Sequence, residues 1–254
     1  MYFKKTCGGW CKKLFYSEYM APTKKQFNRF TEEQVLAVAS RVCLLSPRNI
    51  LLLGGGAVLP QITGFKQLRG RSDDLDFVVN NAGFQAVSSS YALRKESEIR
   101  DCSPSHSGVF TYLEDIFVGF FIEHIRGYPI PAIAYALAKP IHTNRGIVYS
   151  VPPELNIALK IRRGLQKGHI YGKDGCDFAS LVVGSHLRGR DLDYQLLSRS
   201  MSEGVCDTCA LTSPYQCIDE LEKGKRNLAR EYFPIVEEAV NACKSSLTCK
   251  LAEN

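Results

Sequence analysis

Apolar positions change rhythm several times along the chain, and each rhythm predicts an element. Val35, Leu36, Val38, Ala39, Val42 and Cys43 recur with a helical period. Thr31 caps the start of that helix, Gln34 completes a capping box, and Ser46-Pro47 ends it, because proline biases its predecessor away from helical angles. Ile50-Leu51-Leu52-Leu53 is uninterrupted and apolar, as a buried strand is. It runs into Gly54-Gly55-Gly56 and then Ala57-Val58-Leu59, which predicts a strand-to-helix turn at the glycines. A basic loop (Lys66, Arg69, Arg71) leads into Ser72–Val79, whose second half is a strand. Residues 82–98 have weak helical character, 108–122 form a β region, and 133–150 resemble a hairpin. From Pro152 the pattern turns helical, over 153–166, 174–183, 190–202 and 215–247, with turns at Gly172 and Gly204. The predicted class is α+β, or a mixed-sheet α/β unit with a helical appendage. Three regions follow: an arm at 1–30, an α/β core at 31–150, and a helical region at 151–254.

Composition narrows the function classes. At 45% hydrophobic and 23% charged, the 254 residues have a globular composition. Seven basic groups and one acid within residues 1–30 account for the whole net charge of +6, and the other 224 residues balance. A uniformly basic nucleic-acid coat is excluded, while a basic arm that tracks an RNA backbone is not. No apolar run approaches the roughly 18 residues of a spanning helix, and lysines and glycines interrupt the first residues. The expectation is a cytoplasmic protein with no membrane partner. Cys7, Cys11, Cys206, Cys209 and Cys217 offer thiolates to a structural zinc, which would make a zinc-stapled interaction protein. Only one pair has CxxC spacing, so unliganded thiols are the simpler reading. His106, His124, His142, His169 and His186 show no metal spacing, and a hydrolase triad has no support.

The chemistry concentrates at Asp74 and Asp76. Residues i and i+2 of a strand share a face, so both carboxylates converge while Leu75 and Phe77 point into the core. Two such carboxylates repel unless a cation lies between them, and hard oxygen ligands favour Mg²⁺ or Mn²⁺. The bland alternative is an acidic loop capping a strand. The glycine turn adds a second half to the site. Its backbone can approach a ligand closely, and the free amides after it can face phosphate. Neither a Walker loop nor GxGxxG is present. A phosphate cradle beside a metal site suits transfer from a nucleoside triphosphate.

Leu52-Leu-Gly-Gly-Gly-Ala-Val-Leu59 and Gly70-Arg-Ser-Asp-Asp-Leu-Asp-Phe77 together resemble the minimal nucleotidyltransferase fold, a mixed sheet flanked by helices. The likeness is strongest to the AbiEii/AbiGii-type toxins of type IV toxin–antitoxin pairs. Pro153–Lys160 resembles that family's helix ending in a functional lysine, and Lys173–Leu181 resembles its [KR]-D-x-x-D segment. The resemblance implies that Gly54 and Gly55 hold the β- and γ-phosphates, with Gly56, Arg71 and Ser72 completing nucleotide binding. It implies metal ligation by Asp74 and Asp76, charge neutralisation by Lys160, and closure of the lysine's side by Asp174 and Asp177. Gly56 departs from the family's Thr or Ser and removes a hydroxyl. Lys160 also reads as an exposed helix lysine, and Asp174 and Asp177 as acids stabilised at a helix start.

The resemblance also implies a third carboxylate on a neighbouring strand, where it would act as base or share a metal. Tyr112–Val118 is the predicted strand, and alternation lets only one of Glu114 and Asp115 face the pair. Family-like spacing favours Asp115, and the alternative is that both are loop acids. The implied activity is transfer of a nucleoside monophosphate to an acceptor, such as the 3′ end of tRNA or a protein, with release of pyrophosphate. A neighbouring antitoxin protein is the implied partner. The rival readings are a non-catalytic nucleotide- or RNA-binding module on the same fold, and γ-phosphate transfer.

Overall fold

The computed structural model describes residues 30–58, 60, 74–95, 108–122, 124–125, 128–167, 169–170, 172–202 and 218–251. Arg71, Ser72, Cys7, Cys11, Cys206, Cys209, Cys217 and nearly all of the predicted arm lie outside these residues. The chain forms a five-stranded mixed sheet flanked by helices, followed by a helical half. Helix α1 (Glu32–Leu45) has the predicted capping box, with the Gln34 amide donating to the Thr31 hydroxyl and the Gln34 side chain accepting from the Thr31 amide. Strands β1 (Ile50–Leu53) and β2 (Asp74–Val79) are antiparallel. Helix α2 (Asn81–Ser90) follows, then the short β3 (Arg94–Lys95). Strands β4 (Gly108–Leu113) and β5 (Ile116–Ile122) form a hairpin, and β5 lies parallel to β2. The sheet order is β1-β2-β5-β4-β3.

Alternation along β2 and β5 separates the two sheet faces. Leu75, Phe77 and Val79, with Ile116, Val118 and Phe120, meet the apolar stripe of α1 in one core. The opposite face presents Asp74 and Asp76 beside Phe117 and Gly119, their register partners on β5. After a two-stranded pair, β6 (His124–Ile125) and β7 (Tyr128–Pro129), come α3 (Ile133–Leu137) and the hairpin β8 (Pro140–Thr143) and β9 (Gly146–Tyr149). Ser150 then bridges in parallel to Leu52, and the Val151 amide donates to the Leu52 carbonyl at 3.1 Å. This covers the outer edge of β1. Helices α4 (Pro153–Lys167), α5 (Gly172–Leu187), α6 (Tyr194–Ser202) and α7 (Phe233–Leu251) build a second core with two 3₁₀ segments, Glu220–Asn227 and Arg230–Tyr232.

Several boundaries differ from expectation for identifiable reasons. The helix expected over 82–98 stops at Ser90, where the hydroxyls of Ser88, Ser89 and Ser90 donate back to the carbonyls of Gln85 and Ala86. The segment 133–150 contains a short helix before its hairpin. Gly172 opens α5 instead of forming a turn. The segment 215–247 is interrupted by 3₁₀ turns, and α7 starts at Phe233-Pro234, where proline's missing N–H is tolerated. Among the described residues, no helix is long and apolar enough to cross a membrane.

Candidate active site

The glycine turn follows directly from β1. Gly54 has φ +63°, a left-handed angle that favours glycine. The turn closes through Ala57 N–H to the Leu53 carbonyl (3.3 Å) and Val58 N–H to the Gly55 carbonyl (3.2 Å). The Gly55 and Gly56 amides take no part as donors in those bonds. Residues 54–58 form a turn, not the first residues of a helix. Gly56 is fixed by packing: a Cβ there would lie 2.8 Å from a Leu75 methyl and 3.3 Å from a Leu52 methyl. A Thr or Ser at this position would be forced into the side chains of the sheet.

Asp74 and Asp76 share a face of β2, as their spacing predicts, with Asp74 exposed and Asp76 half-buried. The Asp76 carboxylate lies between two glycines. A Cβ on Gly54 would be 3.6 Å from Oδ2, and one on Gly119 would be 3.2 Å from Oδ1. The turn and the carboxylate are thus brought together by the β1–β2 pairing, in which Leu53 is opposite Asp76.

Asp115 is not on a strand. Glu114 and Asp115 form a two-residue hairpin turn between β4 and β5, with φ +51° and +65°. The uninterrupted strand expected over Tyr112–Val118 is corrected accordingly, since two consecutive left-handed residues reverse the chain there. Glu114 accepts from Arg41 on α1 at 2.8 Å and so reaches toward the sheet face opposite the aspartates. The β5 residue in register with Asp76 is Gly119, and a Cβ there would meet the Phe110 ring at 2.9 Å. Among the described residues, no three His, Cys, Asp or Glu side chains gather closely enough to hold a metal, so Asp115 does not join Asp74 and Asp76 in such a group.

Helix α4 supplies two further groups. Asn156, which sequence reasoning gave no role, is 1% exposed and donates from Nδ2 to the Gly54 carbonyl at 3.0 Å. Its Oδ1 has no hydrogen-bond partner among the described residues. Lys160 lies one turn further on the same helix face. Its ammonium donates to Asp174 (3.1 Å) and Asp177 (2.6 Å) on α5, and all three residues are buried. The exposed-lysine reading is thereby corrected. One ammonium hydrogen of Lys160 has no acceptor among the described residues, because three donors meet two bonds. The i+4 spacing from Asn156 was the available signal for a shared role.

Burial pushes the Cys43 thiol up to about 12, against smaller lowering by bonds to the Tyr149 and Leu52 backbones. Burial alone pushes Cys243 up to about 12. Both remain neutral thiols near pH 7.

No family model matches the chain, and no curated protein does. Among solved structures, the chain is similar to an antigenic nucleotidyltransferase-like protein from Paracoccidioides brasiliensis. The identity is 16%, the match covers 60% of this chain and 75% of that one, and the TM-score is 0.36.

Proposed function

We propose that this chain is a metal-dependent nucleotidyltransferase. The observation that carries the proposal is the Asp76 carboxylate against Gly54, with its strand partner Asp74 on the same face. In this reading Gly54, Gly55 and Gly56 offer backbone to the β- and γ-phosphates. Lys160 would add positive charge for the triphosphate, with Asp174 and Asp177 orienting its ammonium. Asn156 fixes the turn by holding the Gly54 carbonyl. The hard oxygens of Asp74 and Asp76 suit Mg²⁺ or Mn²⁺, which would supply charge neutralisation at the transferring phosphoryl group. The protein contributes positioning and fixed charge, the main requirements of phosphoryl transfer. The finer reading is transfer of a nucleoside monophosphate to an RNA end, such as tRNA, in the manner of an AbiEii-type toxin opposed by an antitoxin.

Incubation with total RNA, Mg²⁺ and each α-labelled triphosphate should label an acceptor and release pyrophosphate. Asp76→Ala should lower labelling at least 10²-fold, the scale on which electrostatic stabilising groups act. Wild-type protein that labels neither RNA nor itself refutes the enzyme reading. Gly119 in register with Asp76 favours one second reading, a module that binds nucleotide without turnover. Calorimetric binding of triphosphate without pyrophosphate release would identify it.

A further inference from the structure

A separate basic cleft lies beyond the outer edge of β1. It has a volume of about 380 Å³. Ser150 and Val151, which line it, flank Leu52 on the side opposite β2, so β1 stands between the cleft and Asp74/Asp76. Two segments bring three cations to it: Lys139 before β8, and Arg188 and Arg190 after α5. No Asp or Glu lines it among the described residues.

The end of α5 explains why two arginines are gathered there. The Arg190 amide donates to the Ser185 carbonyl at 3.0 Å, and the Gly189 amide to the His186 carbonyl at 2.8 Å. Gly189 has φ +64°. This is a Schellman closure, which folds the chain after the helix back over its last turn. Arg188 and Arg190 are thereby held close, and partial burial, then the like charge of Arg190, lowers the Arg188 pKa. Lys139 and Arg190 have no ion partner among the described residues. Ser185 also lines the cleft, and its hydroxyl is buried without a hydrogen-bond partner among the described residues. The charges of Lys139 and Arg190 beside an unused hydroxyl call for an oxyanion, and arginine forks match phosphate geometry. The volume exceeds what a bare ion needs and falls in the range of small organic ligands. Leu137, Ile141, Pro60 and Pro152 give it an apolar wall against which a sugar and base can rest.

We infer that this cleft binds a nucleotide unit through its phosphate, as a site distinct from Asp74 and Asp76. The unit is either a free mononucleotide or one residue of a single strand, since both present the same chemistry. The inference does not depend on the proposed transfer activity.

The test uses the full chain in an Asp74→Asn/Asp76→Asn background without divalent metal, so that the other site contributes little. The probes are labelled octauridylate, followed by fluorescence anisotropy, and uridine monophosphate and inorganic phosphate, followed by calorimetry. Lys139→Ala/Arg190→Ala should weaken octauridylate binding about tenfold or more. The slope of log affinity against log salt should shrink by about 1.4, for two lost contacts to a single strand. Arg94→Ala/Arg230→Ala, which removes two exposed charges elsewhere, should change neither. Uridine monophosphate binding with the same loss identifies a free nucleotide as sufficient, and octauridylate binding alone identifies a strand. The inference is overturned if neither probe binds or if the cleft variant binds as wild type does. It is also overturned if the control pair matches the cleft variant's loss, or if inorganic phosphate binds as tightly as the nucleotides.

Discussion

Gly119 is the residue at which core packing and the candidate site meet. It is in register with Asp76, and a side chain there would press on the Phe110 ring, itself stacked on Phe117 with centroids 5.2 Å apart. Gly119→Ala should lower stability by about 1–3 kcal/mol, the usual effect of overpacking. Denaturant titration measures this, and an unchanged midpoint would mean that Phe110 moves aside freely. The aspartate pair was legible in the sequence because a period of two fixes which strand residues share a face. Gly119 was not, since a glycine inside an apolar run carries no mark of what lies opposite. Asn156 offered only its i+4 spacing to Lys160: its partner is a carbonyl 102 positions away, which residue type alone cannot indicate.

Among the elements, the β4–β5 hairpin gives the sharpest test. Its turn places Glu114 and Asp115 in left-handed angles that Asn and Gly adopt with less strain. Glu114→Asn/Asp115→Gly should therefore raise stability by about 1 kcal/mol, even though it removes the exposed Arg41–Glu114 pair, which is worth little. Labelling from α-labelled triphosphate should persist in this variant. A 10²-fold fall would restore Asp115 to the chemistry. The helices and strands with long, regular patterns were readable from the sequence. This hairpin was not, because Glu-Asp lacks the Asn-Gly signal of such turns, and apolar residues on both sides suggested continuity. The 3₁₀ segment Glu220–Asn227 was hidden for a different reason: Gly224 and Gly175 pack backbone to backbone, and a Cβ on Gly224 would meet the Gly175 carbonyl.

At the scale of the molecule, Cys43 lies in the sheet core and Cys243 in the helical core. Each thiol has a folded pKa raised from 9.0 to about 12. Above pH 9 the unfolded chain loses these protons while the folded chain keeps them, so stability falls as pH rises from 9 toward 12. The slope should be about 1.4 kcal/mol per pH unit for each thiol. Cys43→Ala and Cys243→Ala should each flatten the alkaline slope of chemical denaturation by about that amount, whatever they do to stability at pH 7. A slope unaltered in both variants would show that neither thiol titrates as described. The class of fold was legible from the order of elements, and the joining of the two cores was not, because it depends on contacts such as Val58 with α4 and α5.

The bridge from Ser150 to Leu52 has one more consequence, for self-association. An open sheet exposes a row of unpaired backbone groups at each margin, and these can recruit a strand from another chain. Here one margin is occupied at Leu52 by the chain's own return from β9. The other ends in β3, only two residues long, exposed, and both basic. Copies meeting at high concentration would find a short template at one margin, already repelling its twin, and a blocked one at the other. The sheet is built to resist growing by accretion.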